Sequence, residues 1–343
     1  MTSILARAVL ICGGLTAPAA AAPAPAGKLP ERVVLAVDGI EQPRNLPVLL
    51  AERLGYFRSE GVTVVLVDAP ATPSPAELIA DGRADGAVAY FHHTFMSQTG
   101  RGPVTTSVAL LGLTPDERLL VASRLSDRVR NVRDLKGMKI ITGGENSGKT
   151  TAATWALLHA GLSARDYIRL PLSPKEEVAK ELANGEADAV MAHEPDASFY
   201  EKSGAAFQVA DLITPGGTRA ALGTVYPATT LYFARTYIAD HPCEVQHVTR
   251  AVMKALRFIE THDADAIVAE LPAKAGGPDR AAFVRQIAAD SQMFGGNGTM
   301  DSAAAAGELR AMAAINAAYT RVKLPLTYTN VFVAASEGPD RCR

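Results

Sequence analysis

Short runs of β-branched and apolar residues alternate along this chain with segments of helical pattern, and this alternation limits the fold more than any other feature. The strand-like runs span residues 33–37, 62–67, 87–90, 104–111 and 118–123. Helical patterns at 47–54 and 76–81 lie between the first three runs. Strands that alternate with helices predict parallel sheets with helices on their faces, an α/β fold. In such sheets ligands bind beyond the carboxyl ends of the strands.

Two similar stretches about a hundred residues apart indicate two such sheets. ADGRADGAVAY at residues 80–90 and ANGEADAVMAH at residues 183–193 share a helix end, a glycine, an Ala-Asp pair and an apolar strand. Gly82 and Gly185 stand where each helix must stop, a position that favours a left-handed residue. The repetition predicts two similar α/β lobes. If the lobes face each other, the strand ends YFHHTF and HEPD point into one cleft.

The N-terminal segment has the pattern of a secretory signal peptide, which we assign to residues 1–26. Arg7 precedes a short apolar run, and an Ala/Pro-rich stretch with small-residue cleavage sites after Ala22 and Ala26 follows. A lipoprotein anchor at Cys12 is an alternative, although the bulky Ile11 stands where that processing normally requires a small residue. The run is too short to span a bilayer. We therefore expect a periplasmic protein.

Composition excludes some partners and bounds the size of the mature chain. The formal charge is −2, without a long basic run, so nothing points to nucleic acid or an anionic membrane. About 320 residues follow the leader, enough for two domains or one large one. Cys243 and Cys342 are the cysteines that remain after cleavage. They can form one disulfide in an oxidising compartment or stay as two unpaired thiols.

The stretch ITGGENSGKT matches the GxxxxGK[ST] pattern of a nucleotide-binding P-loop through Gly143, Gly148, Lys149 and Thr150. It is predicted to join a strand at 139–142 to a helix that starts near Lys149, and such a helix start binds anions with or without a nucleotide. An ATPase also needs an Asp at the end of an apolar strand to hold Mg²⁺. The candidate Asp196 follows Pro195, off the strand, and a secreted protein has no ATP supply. We therefore interpret the match as an anion-receiving helix start.

Five segments, in order, resemble the nitrate/taurine/sulfonate-type substrate-binding proteins of ABC importers. They are LLAERLGYFRSEGVTVVLV, ELIADGRADGAVAY, DLKGMKI with SGKTTA, ELANGEADAVMAHEP and VYPATTLYFARTYIADHP. The resemblance implies a type II periplasmic-binding-protein fold, in which two lobes joined by two crossover strands close on a ligand. The lobes are then expected at 30–122 plus 226–332 and at 123–225, with a C-terminal tail at 333–343. It further implies a monomer, without cofactor, that delivers a small molecule to an ABC permease.

The resemblance and the strand ends together give a set of predicted ligand-binding residues. They come from the loop DGIEQPRN, the strand end YFHHTF, the loop SGKT, the segment HEP and the return crossover. The set is Asp38, Glu41, Asn45, Tyr90, Phe91, His92, His93, Ser147, Gly148, Lys149, Thr150, His193, Glu194 and Tyr226. Gln42 lies in the same first loop. Of the two adjacent histidines, one is expected in the cleft and the other packed or exposed, while Trp155 is expected in the core.

These groups predict an anionic or zwitterionic organic ligand. Lys149, the histidines and the helix start favour a sulfonate, carboxylate or oxyanion head, and Tyr90 can stack on an apolar tail. The acids leave room for an amine, so taurine-like and pyrimidine-like ligands stay open. We expect no enzymatic activity, because sulfinate-cleaving and pyrimidine-forming relatives on this fold use a cleft Cys or His/Cys clusters that this chain lacks. Such an enzyme is the main alternative.

Two further alternatives use the same residues. A zinc protein would use His92, His93, His193 and Glu194 as ligands. A sensor-associated binding protein would have the same cleft but no transporter.

Overall fold

A computed structural model describes residues 31–70, 72–272, 279–340 and 342. The predicted signal peptide, residues 1–26, lies outside the described residues. Within the described ranges no helix combines the length and the apolar character needed to cross a bilayer. Residues from Glu31 onwards cluster into one compact unit.

Ten strands are found in the described part of the chain. In chain order they are β1 Glu31–Val37, β2 Val62–Asp68, β3 Gly86–Tyr90, β4 Thr105–Leu110, β5 Glu117–Ala122, β6 Lys139–Ile141, β7 Ile168–Leu170, β8 Ala189–Ala192, β9 Ala206–Leu212 and β10 Thr229–Ala234. They form two five-stranded sheets, in the orders β2-β1-β3-β10-β4 and β7-β6-β8-β5-β9.

Fourteen α-helices connect and cover the strands in the same described ranges. They are α1 Leu46–Arg53, α2 Tyr56–Ser59, α3 Pro75–Ala80, α4 His93–Thr99, α5 Gly148–His159, α6 Lys175–Asn184, α7 Asp196–Lys202, α8 Pro215–Leu222, α9 Arg235–Asp240, α10 Pro242–Thr261, α11 Ala264–Glu270, α12 Arg280–Asp290, α13 Ser302–Ile315 and α14 Val331–Ser336. Gly185 caps α6 with a φ of 81°, and Gly82 has a φ of 67° just after α3, so both glycines end helices as predicted.

The sheets confirm a two-lobed α/β fold but are mixed rather than purely parallel. In the first sheet β1 pairs in parallel with β2 and β3, whereas β10 runs antiparallel to β3 and β4. In the second sheet β6 pairs in parallel with β7 and β8, whereas β5 runs antiparallel to β8 and β9. Strands β5 and β10 enter their sheets from the other lobe, so no local crossover helix fixes their direction.

Each sheet has its own apolar core. Val33, Leu35 and Phe233 are fully buried in the first, and Leu119, Ile140 and Val190 are fully buried in the second. Strand β5 lies within the range 30–122 predicted for the first lobe, but it pairs in the second sheet. The predicted lobe and tail boundaries otherwise stay a prediction.

The two cysteines of the described chain form a disulfide. Cys243 on α10 is bonded to Cys342, with 5.5 Å between the two Cα atoms. Of the two states that the sequence left open, the structure therefore has the bridge, which ties the C-terminal residues to the longest helix.

Candidate functional site

A cavity of about 300 Å³ opens between the two sheets, where strand ends from both meet. Tyr90 ends β3, His193 follows β8, and the start of α5 follows β6. The two crossings between the sheets contribute Thr114, Pro115, Asp116 and Glu117 on one side and Tyr226, Ala228 and Thr229 on the other. A ligand in this cavity contacts both lobes, as the position of strand ends in an α/β sheet predicts.

The P-loop-like stretch builds one wall of the cavity. Ser147 is the N-cap of α5, and its hydroxyl accepts a hydrogen bond from the Lys149 backbone N–H at 3.2 Å. Ser147, Gly148 and Lys149 line the cavity. Thr150 does not, because its hydroxyl donates to the Gly144 carbonyl at 2.8 Å and is buried in its own loop. The loop therefore presents a helix N-terminus to the cleft. The Thr150 hydroxyl, the group that a P-loop uses to bind Mg²⁺, does not face the cleft.

Lys149 is already paired inside the cavity. Its Nζ donates to both carboxylate oxygens of Glu117, at 2.9 and 2.8 Å, and lies 2.6 Å from His193 Nδ1. Burial raises the pKa of Glu117 to about 7, although Lys149 opposes that shift. Burial and Lys149 together lower the pKa of His193. Lys149 therefore contacts both Glu117 and His193, and of these groups Glu117 has a pKa near neutral pH.

Arg44, the other lining cation, is also paired. It comes from the turn Pro43–Asn45, and its guanidinium lies 3.1 Å from Asp38 Oδ2 and 5.1 Å from the centre of the Tyr90 ring. Asn45 is buried and donates to the Asp38 and Gly39 carbonyls, which fixes the loop. Of the described residues that line the cavity, Arg44 and Lys149 therefore each have an anionic partner, so the cavity is not an open cationic site.

Asp116 contributes an unpaired carboxyl to the cavity. Its carboxyl has no hydrogen-bond or ion-pair partner among the described residues, and burial raises its pKa to about 6. Its backbone is held at a φ of 57°, a left-handed conformation that costs a non-glycine residue free energy. Thr114 and Thr229 also line the cavity, and their hydroxyls are buried without a hydrogen-bond partner. Unpaired polar atoms at a cavity wall are the groups that a polar ligand satisfies.

Several predicted site residues lie elsewhere. His92 is buried and His93 is partly buried, because the chain turns into α4 directly after β3 instead of staying extended. His92 Nδ1 lies 3.4 Å from Glu308 Oε1, and His93 Nδ1 lies 3.2 Å from the Tyr232 hydroxyl. Burial lowers the pKa of His92 to about 4 and that of His93 to about 3. Neither histidine lines the cavity, so the expectation of one histidine in the cleft is wrong.

Five other predicted residues lie outside the cavity lining. Phe91 is buried against Phe95, with ring centroids 4.9 Å apart. Glu194 is paired with Arg118 at 2.9 Å. Asp38 and Asn45 support the lining from behind, through Arg44 and the loop. The remaining predicted residue, Glu41, is exposed and lines a neighbouring cavity beside α1 and α12.

Within the predicted set, the structure brings Tyr90, Ser147, Gly148, Lys149, His193 and Tyr226 together. Sequence patterns did not identify Arg44, Thr114, Asp116, Glu117, Thr229 and Met293. Asp116 directly precedes strand β5 and Glu117 is its first residue, and an acidic pair at the entry of a crossover strand is a signal that could have found them. The zinc set is not assembled either, since His92 contacts Glu308, His93 contacts Tyr232 and His193 contacts Lys149.

A buried group behind the cavity links the lobes. Glu308 on α13 is fully buried, and burial raises its pKa well above the usual value. Burial and Glu308 raise the pKa of Tyr226 in the same direction. One residue earlier, Gly307 lies against the indole of Trp155 on α5, which is buried as expected. Trp155 also contacts Tyr226, with ring centroids 5.7 Å apart, so α13 packs on the helix that carries the cleft lysine.

Comparison with known proteins adds the family. The family model described as NMT1/THI5 like matches residues 42–266. The chain belongs to the NMT1/THI5-like family. A Saccharomyces cerevisiae member named 4-amino-5-hydroxymethyl-2-methylpyrimidine phosphate synthase THI13 is 26% identical over 238 residues, which cover 67% of each chain. The Aspergillus parasiticus protein named as the same synthase is 29% identical over 225 residues, or 63% of each chain.

Solved structures of this family's fold include binding proteins and an enzyme. The sulfonate-binding protein SsuA from Methylobacillus flagellatus KT is 18% identical with a TM-score of 0.68, over 90% of this chain and 94% of that one. The desulfurization enzyme DSZB is 17% identical with a TM-score of 0.59, over 89% and 99%. These likenesses confirm the periplasmic-binding-protein fold and the recognised resemblance. The expectation that this chain has no enzymatic activity is contradicted, because its curated relatives are named as synthases.

Proposed function

We propose that the cavity between the lobes binds an aminopyrimidine-type ring and that the chain acts in pyrimidine chemistry, as the names of its relatives indicate for them. The observation that carries this proposal is the unpartnered Asp116 carboxyl in the cavity, with a pKa of about 6. A carboxylic acid matches the edge of a 4-aminopyrimidine. Its O–H donates to the ring nitrogen while its carbonyl oxygen accepts from the amino group.

The rest of the cavity supports a flat, polar ring better than a sulfonate. Tyr90 offers an aromatic face at the cavity wall. The buried hydroxyls of Thr114 and Thr229 offer hydrogen bonds to ring substituents. Because Lys149 already donates to both carboxyl oxygens of Glu117, a sulfonate would have to compete with Glu117 for these hydrogen bonds.

The same cavity contains the groups that acid–base chemistry needs. Glu117 titrates near neutral pH and contacts Lys149, which in turn contacts His193. A general acid or base works best when its pKa lies near the operating pH. We therefore assign proton transfer on the bound ring to Glu117, Lys149 and His193, and orientation of the ring to Asp116 and Tyr90.

A second function is favoured by the fold of the solved neighbours and by the predicted signal peptide. In it the chain is a periplasmic, monomeric binding protein that captures the ligand without chemistry and delivers it to an ABC permease. The ligand classes are then those of the sequence analysis, namely sulfonates, taurine-like zwitterions, carboxylates and oxyanions. SsuA of Xanthomonas axonopodis pv. citri, bound to MOPS, covers 90% of this chain with a TM-score of 0.58.

Thermal melting with a ligand panel tests the proposal. The panel contains 4-amino-5-hydroxymethyl-2-methylpyrimidine, its phosphate ester, an alkanesulfonate, taurine and nitrate. A ligand at a hundred times its dissociation constant adds about 2.7 kcal/mol, which raises the melting temperature by about 5 °C or more for a chain of this size. We expect this shift with the pyrimidines. In Asp116→Ala, which removes both the donor and the acceptor, the shift should shrink, while Lys136→Ala, which removes a 71% exposed cation, serves as the matched control.

A shift only with the sulfonate would contradict the pyrimidine assignment. Mass spectrometry of the pyrimidine after incubation with the protein in D2O separates the two functions. Deuterium fixed at carbon that Glu117→Gln abolishes indicates an enzyme that transfers protons, whereas recovery of the unlabelled ligand from a tight complex indicates a binding protein.

A further inference from the structure

Chemically reactive side chains also converge at the disulfide, away from the cleft. His247 on α10 has its Nε2 3.2 Å from Asp340 Oδ2. His247, Asp340 and Cys342 each offer one ligand atom, and these three atoms lie within 4.8 Å of one another. All three residues are half-buried. Cys243 is bonded to Cys342 and completes the group. Two sulfurs, an imidazole and a carboxylate form the type of ligand set that zinc prefers.

Contacts other than the disulfide also position these side chains. Cys243 and His247 are four residues apart on α10, so they lie on the same face of the helix. The Cys342 backbone N–H donates to Asp340 Oδ1 at 2.9 Å, which fixes the turn that carries the other two groups. Arg250 on α10 donates to the Gly338 carbonyl at 3.0 Å and holds the C-terminal residues against the helix.

We propose that this cluster is a site for Zn²⁺ or a similar cation when the disulfide is reduced. The ligands are His247, Asp340 and Cys342, with Cys243 as the fourth. A phosphine or dithiol supplies two electrons, and two protons convert the disulfide into two thiols. Metal binding then releases those protons, because the thiolate is the form that binds. A sulfur that is part of the disulfide cannot act as a thiolate, so the two states exclude each other.

The distances suit such a site with small movements. Bonds of 2.0 to 2.3 Å in a tetrahedral zinc centre place the ligand atoms about 3.3 to 3.8 Å apart. The three ligand atoms already lie within 4.8 Å in the disulfide-bonded form. The C-terminal residues are then held on α10 by a covalent bond in the oxidised chain and by a metal in the reduced chain. Bound metal also protects the sulfurs from reoxidation.

Cys243→Ser gives the sharpest test, because it removes the disulfide and keeps three ligands. The experiment uses the full-length, untagged chain with Cys12→Ser, so that the thiols are those of the cluster. Co²⁺ is the probe, since thiolate ligation gives it a charge-transfer absorption band. We expect no band with the oxidised chain, one equivalent of Co²⁺ with the Cys243→Ser chain, and displacement of the band by Zn²⁺.

Adding His247→Ala to Cys243→Ser should weaken Co²⁺ binding by at least about 100-fold. The loss of a group that only supports a metal ligand costs up to about 100-fold, and His247 is itself a ligand in this proposal. His262→Ala, at the other end of the same helix, is the matched control and should leave it unchanged. If Cys243→Ser fails to fold, the phosphine-reduced chain with both sulfurs replaces it, and Zn²⁺ should raise its melting temperature. Equal binding to the oxidised chain, or binding that survives His247→Ala, would overturn the proposal.

Discussion

Glu117→Gln is the substitution that best separates two opposing effects on the pKa of Glu117, namely burial and the ion pair with Lys149. Burial disfavours the ionised form of Glu117, whereas the ion pair with Lys149 favours it. The side chain is 10% exposed and that of Lys149 is 14% exposed, so neither force is screened by bulk water. Burial is the larger effect and raises the pKa to about 7, from a usual value of 4.5.

The raised pKa makes folding stability depend on pH in a definite direction. Between about pH 4.5 and 7 the folded protein keeps the Glu117 proton that the unfolded chain has lost. The contribution of this proton to the free energy of unfolding is complete below pH 4.5 and is lost as the pH rises through 7. Between pH 5 and pH 7.5 this loss amounts to roughly 2 kcal/mol. Glutamine does not titrate, so this loss disappears in the variant.

Urea unfolding of the wild type and Glu117→Gln at both pH values measures the effect. We expect the wild type to lose roughly 2 kcal/mol more than the variant on going from pH 5 to pH 7.5. Glu176→Gln, which alters a 64% exposed side chain, is the control and should follow the wild type. If the wild type instead gains stability relative to Glu117→Gln as the pH rises, the ion pair dominates over burial and the reasoning is wrong.

Two further predictions concern the packing of the lobes and the disulfide. Gly307→Ala places a methyl group against the Trp155 indole and should lower the free energy of unfolding, measured in urea, by about 1 to 3 kcal/mol. Gly338→Ala, where the new methyl group has open space, is the control and should change the free energy of unfolding little. Equal values for the two variants would refute the close packing of α13 on α5. Reduction of the Cys243–Cys342 bond, which spans a sequence separation of 99, should cost about 2 to 4 kcal/mol and leave the affinity for the aminopyrimidine unchanged; a change in that affinity would show that the C-terminal residues act on the cleft.

Local patterns were enough to predict the elements of the fold. The apolar runs became β1 to β3, and Gly82 and Gly185 end helices because of their left-handed backbone. The antiparallel direction of β5 and β10 could not be predicted in this way. Each enters its sheet from the other lobe, and no neighbouring segment of the sequence encodes that direction.

The cleft was predictable in part, for the same reason. Strand ends and a helix start identified Tyr90, Ser147 and Lys149. Glu117, the partner of Lys149, lies 32 residues away in the sequence. Only the fold brings the two side chains together, so the local sequence pattern does not show that Lys149 is paired. His92 was misplaced because a strand was expected to continue where α4 begins, and its contact with Glu308 joins distant parts of the chain.

Calorimetric titration with two ligands that differ by one amino group tests the central claim most directly. The ligands are 4-amino-5-hydroxymethyl-2-methylpyrimidine and the same compound without the 4-amino group, each titrated into the wild type and Asp116→Ala. A cavity that hydrogen-bonds the amino group should bind the first at least about tenfold more tightly than the second. We predict this preference in the wild type and its loss in Asp116→Ala. Equal affinities in the wild type, or a preference that survives Asp116→Ala, would contradict the assignment of the cleft to an aminopyrimidine.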